Sequence, residues 1–202
     1  MSERHDIPPV ELGTGSVALD AGAGAVVVQV GRLQRILSFD EALLVSLQRF
    51  RRPWRTLVAR SLTALGGARS WTLAGLGLLA TRTALGVHLG LRLAAATALA
   101  TLSSQALKRG LTRARPDSAI VGFEALVRNP DRFSFPSGHT AAAFAVVVAF
   151  VGEPFGLGPL ALLLGVGIGL SRVYLGAHYP LDVGAGAALG AVAGLAARLL
   201  VS

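Results

Sequence analysis

Residues 181–201, LDVGAGAALGAVAGLAARLLV, decide the fold. The run is long enough for a helix to cross a bilayer, and its only charges are Asp182 and Arg198, one towards each end. Hydrocarbon offers no water to the backbone, so such a run must be helical to satisfy its own N–H and C=O groups. Gly and Ala recur in it at spacings that let helices approach closely in lipid. Working outward, similar runs extend over residues 155–170, 139–153, 89–107 and 70–87.

Composition agrees. Of the 202 residues, 52% are hydrophobic and 15% charged, well below the roughly 25% charged of a soluble domain. The expected fold is therefore all-α: an integral-membrane helical bundle with about five transmembrane helices. Two amphipathic segments precede it. Ser38-Phe39-Asp40-Glu41 has the form of a capping box, followed by Leu43, Leu44, Leu47 and Phe50 at helical spacing. After Arg51-Arg52-Pro53, a second segment places Trp54, Leu57, Val58, Leu62 and Leu65 on one face and closes at Gly66-Gly67. These read as interfacial helices or as helices packed on the bundle. The expected organisation is an N-terminal arm over residues 1–67 and a bundle over 68–202, one domain overall. Residues 1–37 are weakly patterned and lack the signal-peptide sequence of charged and apolar regions. Gly22–Gly31 is apolar but too short to be favoured as a span.

The net charge of +8 would suggest nucleic acid in a soluble protein. Beside apolar spans it suits membrane lipids and a phosphate-bearing substrate instead, so no nucleic-acid partner is expected. Cysteine is absent, which excludes disulfides, a thiol nucleophile and thiolate metal sites.

Polar chemistry gathers in three clusters at the ends of apolar runs. The first holds Lys108 and Arg115-Pro116, the second is Pro136-Ser137-Gly138-His139, and the third joins Ser171-Arg172 to His178 and Asp182. Alternating spans put all three on one membrane face. Lys108, Arg115 and Arg172 repel one another unless a polyanion sits among them, and phosphate suits Arg forks and a Lys point charge. Arg109, Arg113, Arg128 and Arg132 read instead as ordinary loop charges. Ser137 is placed to cap a helix whose N-terminus, with the Gly138 amide, forms an anion site. His178 and Asp182 form the favoured nucleophile pair, since a carboxylate on one ring nitrogen leaves the other free to attack. Pro180 places His178 just before the last helix and Asp182 in its first turn. A carboxylate beside lipid needs a partner, so a functional role for Asp182 outweighs a simple cap. His139 would protonate the leaving oxygen. The constellation implies phosphoryl transfer through a phosphohistidine. The chain has four histidines, no cysteine and no carboxylate cluster suited to Mg²⁺, so no metal and no other cofactor is required.

Lys108…Arg115-Pro116, Pro136-Ser137-Gly138-His139 and Ser171-Arg172…His178…Asp182 together resemble the type 2 phosphatidic acid phosphatase family, in order and in spacing, over about 75 residues. The resemblance implies a bacterial-type membrane lipid phosphatase with His178 as nucleophile, His139 as acid and no metal. Polyprenyl diphosphate, phosphatidic acid and phosphatidylglycerol phosphate are the substrates it suggests. The family's site is similar to that of vanadium haloperoxidases, a less favoured reading for a chain with five apolar runs. A non-enzymatic phospholipid-binding protein is the other alternative, and the histidine pair speaks against it. Residues 117–135 form the loop expected to bear on selectivity, with Phe123, Phe133 and Phe135 more suited to packing than to lipid contact. Nine of the 19 basic residues precede the first span and six lie between Lys108 and Arg132, which by the positive-inside rule points to a cytoplasmic site. The family resemblance implies an extracytoplasmic one, and that expectation is preferred. The sequence leaves the oligomeric state open.

Overall fold

The structure is a computed structural model that describes residues 16–20, 25–29, 32–129 and 131–202. The chain divides into two compact units, Met1–Phe39 and Asp40–Ser202. In the first, β1 (Ser16–Asp20) pairs antiparallel with β2 (Ala25–Gln29), Ser16 opposite Gln29 and Asp20 opposite Ala25. The short apolar run noted at Gly22–Gly31 thus contains a strand. Its three successive valines, Val26 to Val28, are β-branched and favour extended backbone over helix.

Eight helices follow among the described residues: α1 (Arg32–Gln48), α2 (Pro53–Leu65), α3 (Ala68–Ala80), α4 (Ala84–Gly110), α5 (Pro116–Ala119), α6 (Gly138–Ala149), α7 (Leu157–Tyr174) and α8 (Pro180–Leu200). α1 starts six residues before Ser38, so the expected capping box lies inside a helix. The Ser38 hydroxyl donates to the Arg35 carbonyl and caps nothing. Pro53 opens α2, where its missing N–H costs no hydrogen bond. α2 packs on α7 through small residues, Ala59 and Thr63, while Trp54, Leu57 and Val58 face outward.

α4, α7 and α8 are long and apolar enough to cross a membrane; α6 is apolar but shorter. The run expected over residues 70–87 is split. α3 ends at Ala80, Arg82 adopts a positive φ of 54°, and Thr83 starts α4 by accepting from the Gly86 N–H. Residues 84–88 therefore belong to α4, which at 27 residues is about 40 Å long.

α6 is the buried centre. It packs on α4, α7 and α8, and eight of its residues are buried. Gly186, Gly190 and Gly194 form one stripe on α8, four residues apart, and lie against its backbone. A Cβ on Gly190 would stand 2.2 Å from the Ala141 carbonyl oxygen, and one on Gly194 2.4 Å from that of Ala145. In lipid, where helices gain little from burying apolar surface, such close contact supplies dispersion attraction. Away from the three clusters, the other end of the bundle is tied by Arg92. It pairs with Glu153 in the α6–α7 turn and donates from Nη2 to the Val201 carbonyl at 2.8 Å.

This packing makes a controlled prediction. Gly190→Val forces α6 and α8 apart and should cost about 1–3 kcal/mol, the usual penalty of overpacking. Gly184→Ala, where a Cβ meets nothing within 4 Å, should be neutral or slightly stabilising. Thermal unfolding of the two purified variants in one detergent measures the difference.

Candidate active site

Four helix ends meet at one end of the bundle: the C-termini of α4 and α7 and the N-termini of α6 and α8. The last turn of α4 carries Lys108, and the last turn of α7 carries Arg172. Arg115 immediately precedes α5. Ser137 is the N-cap residue of α6, with Gly138 and His139 in its first turn. Gly176, at φ 74°, lets the chain fold back on α7, so that the Ala177 and His178 N–H groups both donate to the Arg172 carbonyl. A side chain at Gly176 would also strike the Phe123 ring, which makes Phe123 a packing residue. Pro180 then starts α8, with His178 two residues before it and Asp182 in its first turn.

The three cations are buried: Lys108 is 6% exposed, Arg115 4% and Arg172 2%. Lys108 and Arg115 both pair with Asp131. Arg115 Nε also donates to the Asp131 carbonyl at 2.8 Å and its Nη1 to the Ala177 carbonyl at 2.6 Å. Arg172 Nη2 donates to Asn129 Oδ1 at 2.7 Å, while Arg172 Nε and Asn129 Nδ2 are buried without a partner among the described residues. Burial works against ionisation of Asp131, but the Lys108 hydrogen bond and the Arg115 charge outweigh it. Its carboxyl titrates below the ordinary aspartate range.

His178 is 1% exposed and Asp182 fully buried. His178 Nδ1 lies 3.6 Å from Asp182 Oδ2, just outside hydrogen-bond range, and has no other partner among the described residues. His178 Nε2 stands 3.5 Å from Arg115 Nη1. Burial, reinforced by Arg172 and Arg115, outweighs the carboxylate and lowers the His178 pKa to about 4, so the imidazole is neutral at pH 7. Asp182 is itself held. Oδ2 accepts from the Tyr179 N–H at 2.9 Å, Oδ1 accepts from Arg113 Nη1 at 2.8 Å, and its backbone carbonyl accepts from the Ser137 N–H at 3.0 Å. That last bond ties the second cluster to the third.

Lys108, Arg115, Gly138, His139, Arg172 and His178 all line one cavity of about 680 Å³, with Asn129 and Asp131. Ser137 does not line it. It is fully buried behind the wall, and its hydroxyl accepts from Thr140 Oγ1 at 2.9 Å instead of capping α6. From the polar end the cavity continues between α3 and α4 along Trp71, Gly75, Leu79, Ala94, Ala98 and Leu102. One wall is thus cationic and the rest an apolar slot. Among the described residues, no three His, Asp or Glu side chains converge as metal ligands.

Arg113 corrects an expectation. It is no ordinary loop charge: it bridges the buried Asp40 and Asp182 and lies over the Tyr179 ring at 3.8 Å. Arg109, Arg128 and Arg132 are exposed. Asp131, Asn129 and Asp40 were missed by sequence reasoning. A carboxylate and an amide within a loop that must reach three cations were the available signal, but only the loop's path fixes which ones arrive. That path depends on α2, whose Arg60 Nη2 holds the Leu126 carbonyl at 3.0 Å, and on Arg51 Nη2 at the Glu124 carbonyl, 2.9 Å.

Residues 89–202 match the model of the PAP2 superfamily. A decaprenylphosphoryl-5-phosphoribose phosphatase of Mycobacterium tuberculosis is 41% identical over 44% of this chain, an alignment spanning 48%, about half, of that protein. Phosphatidylglycerophosphatase B of Bacillus subtilis is 32% identical over 77% of this chain and 79% of its own length. The crystal structure of a transmembrane PAP2-type phosphatidylglycerolphosphate phosphatase from Bacillus subtilis superposes with a TM-score of 0.67 at 28% identity, covering 82% of this chain and 86% of that one. On the matched motifs, the extent of these similarities and the three membrane-length helices, this chain is a membrane protein that belongs to the PAP2 superfamily.

Proposed function

We propose that the protein is an integral-membrane lipid phosphate phosphatase that works through a phosphohistidine without a metal. The observation that carries this is the single cavity in which a neutral imidazole meets three buried cations at the mouth of an apolar slot. His178 Nε2 attacks phosphorus in line, and the bond to the leaving oxygen breaks as His139 protonates it. Lys108, Arg115, Arg172 and the Gly138 amide stabilise the charge on the equatorial oxygens, with Ser137 supporting that wall from behind. Asp182 stabilises the imidazolium that forms at His178. Water then attacks the phosphohistidine, His139 takes its proton, and phosphate leaves.

The slot between α3 and α4 suits an acyl or prenyl chain, so a lipid is favoured over a soluble phosphate ester. The relatives' names point to polyprenyl phosphoryl lipids and phosphatidylglycerophosphate as the substrates to try first. α3 and α6 complete a five-helix membrane core with α4, α7 and α8. α2 turns Trp54, Leu57 and Val58 towards the interface. We assign the site to the extracytoplasmic face, the orientation the family resemblance implies. The basic residues that argued otherwise are partly spent on structure: Lys108, Arg113 and Arg115 pair with carboxylates, and Arg51 and Arg60 hold loop carbonyls. Such charges do not report topology.

Phosphate release from phosphatidic acid, phosphatidylglycerophosphate and a polyprenyl diphosphate should proceed with EDTA present in detergent. His178→Ala should lower it by about 10⁴-fold or more, as losing a nucleophile does. Equal activity in wild type and variant sinks the mechanism and leaves a lipid-binding protein. The lowered pKa of His178 keeps the nucleophile unprotonated above about pH 4. With the substrate's own ionisation corrected for, the acid limb of kcat/KM should therefore lie near 4, not 6.5. Asp131 competes with phosphate for Lys108 and Arg115. Asp131→Asn should lower KM by roughly fivefold, the scale of a charge-assisted contact.

A further inference from the structure

Asp40 lies on α1, 142 positions before Asp182, and is 2% exposed. A carboxylate buried to that degree must be compensated. Its two partners both belong to the reacting end of the bundle. Oδ2 accepts from Arg113 Nη2 at 2.7 Å, and Oδ1 accepts from the Leu181 N–H at 2.9 Å. Leu181 is the residue before Asp182, in the first turn of α8, so Asp40 takes up one of that helix's unpaired amides. The other Arg113 nitrogen, Nη1, donates to Asp182 Oδ1 at 2.8 Å. One guanidinium thus spans two buried carboxylates and is fixed in plane over Tyr179 at 3.8 Å. Neither Asp40 nor Arg113 lines the cavity.

We propose that Asp40 and Arg113 are positioning residues that fix the Asp182 carboxylate, and through it the ring of His178. The proposal rests on reading His178 as the nucleophile and Asp182 as its partner. Asp182 touches the imidazole over a 3.6 Å gap, so a small rotation of the carboxylate decides whether Nδ1–H is held. Arg113 fixes that rotation from one oxygen while the Tyr179 N–H fixes it from the other. Asp40 holds Arg113 in turn and anchors the helix start that carries Asp182. A lysine at position 113 could not make both contacts, because it lacks the planar fork.

The test uses the full chain in detergent, with phosphatidic acid and a polyprenyl diphosphate as substrates and inorganic phosphate as inhibitor. Asp40→Asn keeps the shape and the acceptor for the Leu181 amide but removes the charge facing Arg113. Arg113→Lys keeps the charge and loses the fork. Both should lower kcat per folded molecule by about tenfold, while KM and the inhibition constant of phosphate stay within about twofold. Should Asp40→Asn not fold, Arg113→Lys carries the same test. An unchanged kcat per folded molecule, with only the melting temperature lowered, overturns the proposal, as does a change confined to KM. His178→Ala run in parallel separates the two levels: if it keeps full activity, the nucleophile assignment fails before this proposal is reached.

Discussion

Three buried cations at the end of an apolar bundle are the constraint on which the rest of this structure depends. Lys108, Arg115 and Arg172 come from three different segments, and water reaches none of them freely. Taking unpaired charge out of water costs several kcal/mol per ion. The chain meets that cost with oxygen atoms: Asp131 serves Lys108 and Arg115, the Ala177 and Asp131 carbonyls serve Arg115, and Asn129 serves Arg172. What remains uncompensated is informative. Among the described residues, Arg172 Nε and Asn129 Nδ2 are buried donors without partners, on two side chains that line the cavity. Packing for stability alone seldom leaves two buried donors unmet on neighbouring side chains, and the pair supports the anion-binding reading.

The helices make this arrangement possible by how closely they approach. Gly186, Gly190 and Gly194 bring α8 against α6 until backbone touches backbone. That contact continues to the site. Gly186 lies where a Cβ would meet the Ser137 carbonyl oxygen at 2.6 Å, and the Ser137 N–H donates to the Asp182 carbonyl. The start of α6, with Gly138 and His139, is therefore held in register with the start of α8, with His178 just before it and Asp182 in its first turn. The glycine stripe is a packing device along most of its length and a site-building device at its upper end.

The motif positions were legible because their chemistry is unusual for their surroundings. A histidine and a carboxylate four residues apart with Pro180 between them have few placements, and the helix start is the one the structure adopts. The apolar runs were legible too, except where local sequence cut across them. Thr81 to Thr83 break residues 70–87 through a cap and a positive φ that hydropathy does not register. Ser38 failed for the opposite reason: a capping pattern is short, and here it falls inside α1, which begins at Arg32. The side chains that neutralise the cations were not legible. Asp131 and Asp40 look like any surface acid until the path of the loop and the position of α1 are known.

Arg113 shows most directly what the fold adds. In sequence it sits between Lys108 and Arg115, one of four basic residues within the eight positions 108–115, where one more charge means little. In the structure it points away from the cavity and makes its contacts on the other side of Asp182. Two cations two residues apart thus serve opposite faces of the same histidine–carboxylate pair. Arg115 stands at the ring nitrogen that faces the cavity, 3.5 Å from Nε2, and Arg113 at the carboxylate behind the ring. Regular strand alternation would put residues 113 and 115 on one face, but the Ala114–Phe133 bridge is isolated and Arg115 is already the N-cap residue of α5, so the two side chains part. The segment between α4 and α5 therefore divides its charges, Arg115 to the cavity and Arg113 to the support behind it.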